Sequence, residues 1–213
     1  MFADTYARNY QSFNKDKPYR KEVEMVYRWA EKPKRILDLG CGTANYWKYY
    51  PKDTLVFGVE QSPAMVDASK YKRQILCCDT TKMVRAGRFG LVTALFDVIN
   101  YIPDHSWWKD LPLDKGGYFI FDIWDKDKVK REGFKETMKY ADGLWRIITP
   151  IDLDDTSVRL RVTLKSPGFC VSEIHTMYFY DKEDILGFCG NEFKVVEVKP
   201  TERWQTWYKL QRK

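Results

Sequence analysis

No two of the five cysteines, Cys41, Cys77, Cys78, Cys170 and Cys189, stand at C-x-x-C spacing, and their number is odd. That arithmetic argues against a disulfide framework and against a zinc ribbon, so no metal site is expected and a reducing cytoplasm fits best. The chain also lacks any run of the ~18 apolar residues needed to span a bilayer, and Met1 to Tyr10 holds no apolar leader segment. The expectation is a soluble cytoplasmic protein with no membrane partner. Repeats, low-complexity tracts and linkers are missing as well, which leaves 213 residues as one domain long enough to bury a sizeable core.

Charge of one sign is not concentrated anywhere. The net charge is +6, but 36 Lys and Arg are interleaved with 30 Asp and Glu, so no domain-wide basic field follows and nucleic acid is not indicated as a partner. The densest basic run, Lys126 to Arg131, includes Asp127 and reads as a solvated helix face. What the chain does have is aromatics, at 8 Trp, 14 Tyr and 12 Phe, enough apolar surface to offset the entropy of ordering.

Asp16 and Pro18 precede Val23, Val26, Tyr27 and Ala30 at helical spacing, which predicts a helix over about 18–31. Arg35 to Gly40 is a short apolar run ending in glycine, and Ala44 to Tyr50 reads as the helix after it. The pattern repeats: strands at Thr54 to Val59, Gln74 to Cys78 and Phe89 to Phe96, with a helix at Pro63 to Lys70. Gly116-Gly117 then turns the chain into a strand at Tyr118 to Ile123. Strands joined by crossovers imply a parallel sheet covered on both faces, and vicinal Cys77-Cys78 is placed on a buried strand. From Phe134 the texture changes to period-2 alternation, as in Leu144 to Ile148, Val158 to Leu164 and Ile174 to Tyr180, which marks antiparallel strands with one wet face. A short helix over Asp181 to Cys189 and a hairpin of Phe193 to Val198 with Trp204 to Leu210 close the chain.

The strongest local signal is Leu37-Asp-Leu-Gly-Cys-Gly-Thr-Ala44. Two glycines at the carboxyl end of the first strand let the backbone approach a nucleotide-like ligand where open α/β sheets bind one. The rival is a dinucleotide site, whose fingerprint calls for a third glycine where this chain has Asn45. Glu60 ends the second strand 20 residues after Gly40, where a carboxylate can accept hydrogen bonds from both ribose hydroxyls, and Asp79 ends the third. An acidic residue after a strand is usually a turn former or cap; the glycine turn, Glu60 and Asp79 at three successive strand ends are a stronger sign.

Asp38-Leu-Gly-Cys-Gly-Thr, Gly58-Val-Glu-Gln-Ser and Cys78-Asp, with Leu95 to Tyr101 and Lys115 to Asp122, resemble the class I S-adenosylmethionine (SAM) dependent methyltransferases over residues 34–124. The resemblance implies a mostly parallel seven-stranded α/β sheet with helices on both faces and an antiparallel β insertion, with SAM as cofactor. Residues 1–33 would form a helical lid, 34–133 the SAM-binding core, 134–180 the insertion over the acceptor, and 181–213 the closing helix and hairpin. Gly40 and Gly42 would pack beneath the methionine part, Glu60 hold the ribose, Asp79 the adenine, and Phe96 flank the sulfonium. Asp38, Cys41, Gln61, Met65 and Thr80 complete the implied cofactor set, together with Tyr6 and Tyr19 of the lid. Ala44 departs from the family pattern, where many members have a further glycine.

The rest of the chain is similar to sugar-amine N-methyltransferases, with lid tyrosines Tyr6, Tyr10 and Tyr19 and the segment Ser172-Glu-Ile-His-Thr. Because SAM is already a reactive donor, methyl transfer asks the protein mainly for alignment and exclusion of water. An amine acceptor must lose a proton, which a neutral His175 can accept; its alternative place is a strand residue bonded to a backbone group. Asn100, Tyr101 and Trp124 follow the fourth and fifth strands and, with His175, make the expected acceptor set, whereas Trp107 and Trp108 read as packing. No Asn/Asp-Pro-Pro-aromatic turn follows the fourth strand and no Pro-Cys pair is present, which favours a small-molecule acceptor, handled by a monomer or homodimer. The alternatives are a nucleic-acid or protein methyltransferase and a non-catalytic SAM-binding regulator.

Overall fold

The structure, a computed structural model, describes residues 2–82, 87–201 and 204–213. Strand β1 (Arg35–Leu39) is buried at four of its five residues because both neighbours and both faces cover it. It pairs in parallel with β2 (Leu55–Glu60) on one side and β4 (Phe89–Ala94) on the other. Strand β3 (Ile75–Cys77) continues beyond β2, and β5 (Leu113–Trp124) beyond β4, all parallel. The closing strands β10 (Phe193–Pro200) and β11 (Gln205–Arg212) add antiparallel, giving the order β10-β11-β5-β4-β1-β2-β3. The chain leaves β1 in one direction and β4 in the other, so their carboxyl ends open a crevice.

A second sheet, β6 (Thr137–Ala141), β7 (Leu144–Leu153), β8 (Ser157–Ser166) and β9 (Phe169–Tyr178), is antiparallel throughout. Its alternation is plainest in β8, where Val158, Leu160, Val162 and Leu164 are buried. One end of this sheet packs on Val129 of helix α4 (Lys126–Glu132), where Lys130 and Arg131 are exposed while Lys126 and Lys128 are half-buried. The other end packs on Phe13 of α1 (Phe2–Phe13). Helix α1 therefore bridges the second sheet to the crevice of the first.

Apolar side chains fill both faces of the main sheet. Trp108, Phe119, Phe121 and Phe193 gather with α5 (Lys182–Cys189) on one face, and Val23 and Val26 of α2 (Tyr19–Trp29) with Ile36, Leu91 and Ile120 on the other. Trp108 is fully buried with ring centroids 5.2 and 5.1 Å from Phe119 and Phe121, and each such side chain contributes roughly 1.5–3 kcal/mol by leaving water.

Three sequence expectations need correcting. The segment Ala44 to Tyr50 is one turn of 3-10 helix, Trp47–Tyr49, because Ala44 sits at φ +60°, where an L residue cannot start a right-handed helix. The crossovers from β3 to β4 and β4 to β5 also use 3-10 turns, at Thr80–Lys82, Ile99–Tyr101 and Ser106–Asp110, so α3 (Pro63–Ala68) is the longest helix between β1 and β5 among the described residues. Gly116-Gly117 lies inside β5 instead of preceding it, at a register jump from Phe89–Leu113 to Leu91–Tyr118. Cys77 is exposed and Cys78 only partly covered, since β3 is a three-residue edge strand. No helix among the described residues is long and apolar enough to cross a membrane.

Candidate active site

After β1 the backbone turns through positive φ at Gly40 (+59°) and Gly42 (+55°). The turn is fastened by Glu60 at the end of β2. Its Oε2 accepts the Gly42 N–H at 2.8 Å and its Oε1 accepts the Ser62 N–H at 2.8 Å. Burial pushes the Glu60 carboxyl up while these backbone donors oppose it. A carboxylate has about four lone-pair sites, so beside these bonds Glu60 can accept a further donor. Asp38, 2 % exposed, accepts from Trp47 Nε1 and Thr93 Oγ1, both at 2.8 Å. Burial raises its carboxyl to about 6 against those two bonds, and the pair ties the 3-10 turn and β4 to β1.

A pocket opens above this turn, lined by Tyr10, Tyr19, Asp38, Gly40, Cys41, Gly42, Asn45, Tyr46, Leu95 and Phe96. Its walls are aromatic: Tyr19 meets Tyr46 edge-on at 4.9 Å, and Tyr10 lies 6.4 Å from Phe96. Burial pushes the Tyr19 phenol up to about 12. Phe96 and Asp97 sit at φ +71° and +65°, and Asp122 on β5 holds them there. Its carboxylate accepts the Phe96 N–H at 2.7 Å, the Asp97 N–H at 3.3 Å and Gln205 Nε2 at 2.9 Å. Burial, then the neighbouring Asp97 charge, drive the Asp122 carboxyl well above the usual range. The Lys17 ammonium stands 4.1 Å over the Phe96 ring and 3.1 Å from Glu22, which demonstrates that this ring face can receive a cation.

The sequence-derived cofactor residues do not all converge. Tyr19, Asp38, Gly40, Cys41, Gly42 and Phe96 line the one pocket, and Glu60 borders it through Gly42. Gln61 is exposed and Met65 half-buried at the start of α3, where Ser62 Oγ accepts the Met65 N–H at 3.4 Å. Asp79 caps the turn after β3, accepting from Thr81 N and Oγ1 at 2.9 and 2.8 Å; these bonds, the backbone one first, hold its carboxyl below the usual range. Thr80 beside it is buried. Tyr6 faces the second sheet, with Arg146 Nη1 3.5 Å from its hydroxyl. The α1 tyrosine in the pocket is Tyr10, which with Asn45, Tyr46 and Leu95 lay outside the cofactor set read from the sequence.

Of the residues expected to meet an acceptor, Tyr101 Oη lies 3.4 Å from His175 Nδ1, with Tyr101 44 % exposed. Burial holds the imidazole below its ordinary pKa, so it is neutral near pH 7. Asn100 is fully buried: its Nδ2 donates to the Tyr178 carbonyl at 2.7 Å and its Oδ1 accepts the Trp124 N–H at 3.1 Å. With both amide ends engaged, Asn100 is a strut joining β5 and β9. The Trp124 ring packs 5.0 Å from Phe134. Burial, then the neighbouring Tyr6, Tyr19 and Tyr101, hold the Tyr10 phenol well above its ordinary range. No group of three His, Cys, Asp or Glu that could hold a metal occurs among the described residues.

Residues 37–107 match the methyltransferase domain family. No curated protein sequence matches the chain. Among solved structures, it is similar to a SAM-dependent methyltransferase from Clostridium acetobutylicum at 20 % identity, with 99 % of this chain and 97 % of that one covered and a TM-score of 0.80. A SAM-bound amino pentose methyltransferase from Micromonospora echinaspora matches at 16 % identity over 98 % and 97 %, with a TM-score of 0.75. A sugar N-methyltransferase from Streptoalloteichus matches at 19 % over 94 % and 90 %, with a TM-score of 0.73. The residues present fit SAM: a turn whose Gly42 would offer a Cβ nothing within 4 Å, a carboxylate with lone pairs to spare, and an aromatic face suited to a sulfonium. The domain match over residues 37–107 and the topology give the chain the class I, SAM-dependent methyltransferase fold, with a pocket whose residues fit SAM.

Proposed function

We propose that the chain methylates an amine nitrogen on a small molecule, with SAM in the Gly40–Gly42 pocket and the acceptor between Phe96 and the Tyr101–His175 pair. The observation that carries this reading is that Phe96, which lines the glycine-turn pocket beside Tyr10, and Tyr101, whose hydroxyl lies 3.4 Å from His175 Nδ1, both stand on the short segment after β4. The names of the sugar N-methyltransferase and amino pentose methyltransferase that share the fold support nitrogen as the atom. When bound, SAM supplies an electrophilic methyl group on a sulfonium. Glu60 and the Gly42 backbone would hold the donor, Phe96 would offer its ring to the positive charge, and the second sheet with α1 would keep water out. His175, neutral near pH 7, takes the proton that the acceptor ammonium must lose, and Tyr101 orients it. Gln61, Met65, Asp79 and Thr80 fall to the rim of the donor site in this scheme, whereas Tyr6 faces the second sheet. The odd set of free thiols supports a reducing cytoplasm as the setting, with the chain acting as monomer or homodimer.

The test is to incubate the purified chain with SAM and a panel of amino sugars, amino acids and simple amines, and to follow methylated product by mass. Transfer to nitrogen supports the reading. His175→Ala should then lower kcat roughly a hundredfold near pH 7 and recover as the pH rises above the amine pKa. Failure to methylate any amine, or a His175→Ala enzyme with an unchanged pH profile, would overturn it.

A further inference from the structure

Arg146 on β7 is 8 % exposed, yet no carboxylate pairs with it among the described residues. Its Nη1 reaches only two neutral oxygens, Tyr6 Oη at 3.5 Å and Asn14 Oδ1 at 3.3 Å, and its buried Nε has no partner. The guanidinium lies 5.1 Å over the Phe13 ring. Directly opposite on β6 stands a second cation, Lys139, whose Nζ donates to the Phe13 carbonyl at 3.2 Å. Two like charges facing each other across strands repel, and a buried cation left without a counter-charge is costly. Both costs fall when an anion enters, and the flat fork of Arg146 suits an oxyanion in two-point contact.

We infer that Arg146 and Lys139 form a subsite for an oxyanion, carboxylate or phosphate, carried by the methyl acceptor, so that the substrate is an acidic amine. This rests on the acceptor reading above. The subsite belongs to the acceptor and not to SAM because its neighbours, Tyr6, Phe13 and Asn14, meet the second sheet and none of them lines the donor pocket. The donor pocket is walled by Tyr10, Tyr19, Asn45 and Tyr46 instead. An acceptor anchored there would place its amine towards Tyr101 and His175.

The experiment is calorimetric titration of the full chain, saturated with S-adenosylhomocysteine, with inorganic phosphate and separately with acetate at low ionic strength. Wild type is expected to bind at least one in the millimolar range; which one it prefers distinguishes a phosphate from a carboxylate source. Arg146→Met should weaken that binding by roughly tenfold or more and Arg146→Lys by less, with SAM affinity unchanged within about threefold. Lys139→Met, at an exposed position, gives a second reading if Arg146→Met does not fold, and should weaken anion binding roughly threefold. The inference is overturned if wild type binds neither anion, if both variants bind as wild type does, or if Arg146→Met loses SAM affinity tenfold. Anion binding needs no turnover, so a chain that binds phosphate through Arg146 but methylates no amine refutes the acceptor reading alone. Equal methylation of acidic and non-acidic amines refutes this inference alone.

Discussion

A methyl group added at Gly42 should impair ligand binding and barely touch stability, and one added at Gly40 should do the reverse. Both residues hold φ near +57°, at +59° and +55°, so alanine is strained at either by about 1–2 kcal/mol, partly offset by about 0.4–1 from the stiffer unfolded chain. The surroundings differ. At Gly40 a Cβ would stand 2.7 Å from both γ carbons of Val98, and overpacking adds roughly 1–3 kcal/mol. Gly40→Ala is therefore expected to lose about 2–4 kcal/mol, a fall in Tm of roughly 5–15 °C for a chain this size. At Gly42 a Cβ meets nothing within 4 Å, so the loss is about 1 kcal/mol and a few degrees. The open direction there belongs to a residue lining the donor pocket, and a methyl against a bound SAM should weaken it by the same overpacking range, roughly 5- to 150-fold. Thermal melts and calorimetric titration of the two variants decide the matter. A Gly42→Ala protein that binds SAM within twofold of wild type would refute the assignment of this turn to the donor.

Further outcomes follow from buried polar groups. His105 is 1 % exposed with neither ring nitrogen hydrogen-bonded, and burial lowers its pKa to about 4. The folded chain thus resists a proton that the unfolded chain accepts below about 6.5, so stability present above pH 6.5 is lost as pH falls towards 4, by about 2 kcal/mol at pH 5. His105→Phe should remove that part of the acid sensitivity, seen as a smaller drop in urea midpoint between pH 7 and 5; an identical drop would contradict it. Asp122→Asn loses one of the acceptors that hold Phe96 and Asp97 at positive φ and should cost on the order of 1–3 kcal/mol, together with weaker SAM binding. Unaltered urea midpoints and titrations would show that Phe96 is held by other means.

The parallel core was legible because each strand ended at a glycine or an acidic residue and each apolar run had strand length. The helix at Ala44 to Tyr50 was not, since its composition is helical and only the φ of Ala44, set by tertiary packing over the glycine turn, forbids it. Cys77 looked buried because a three-residue edge strand has the same local texture as a central one. In the site, Glu60 was readable from its spacing to Gly40. Tyr10 was not separable from Tyr6, as both lie on one face of α1 four residues apart and only the position of the second sheet decides which enters the pocket. Arg146 did leave a trace: in Leu144-Trp-Arg-Ile-Ile it shares the inward phase with buried Leu144, and a charged residue in a core phase signals either a partner or a ligand. Asn100 misled because a strand-end amide has the chemistry of a ligand whether or not its two ends are already engaged.

The central claim is tested most directly by calorimetric titration of the chain and of Glu60→Ala with SAM and with S-adenosylhomocysteine. Wild type should bind both. Glu60→Ala removes the proposed acceptor for the ribose and frees the Gly42 and Ser62 amides, and should bind roughly tenfold or more weakly, corresponding to about 1.5–3 kcal/mol. A wild-type chain that binds neither ligand would contradict the account.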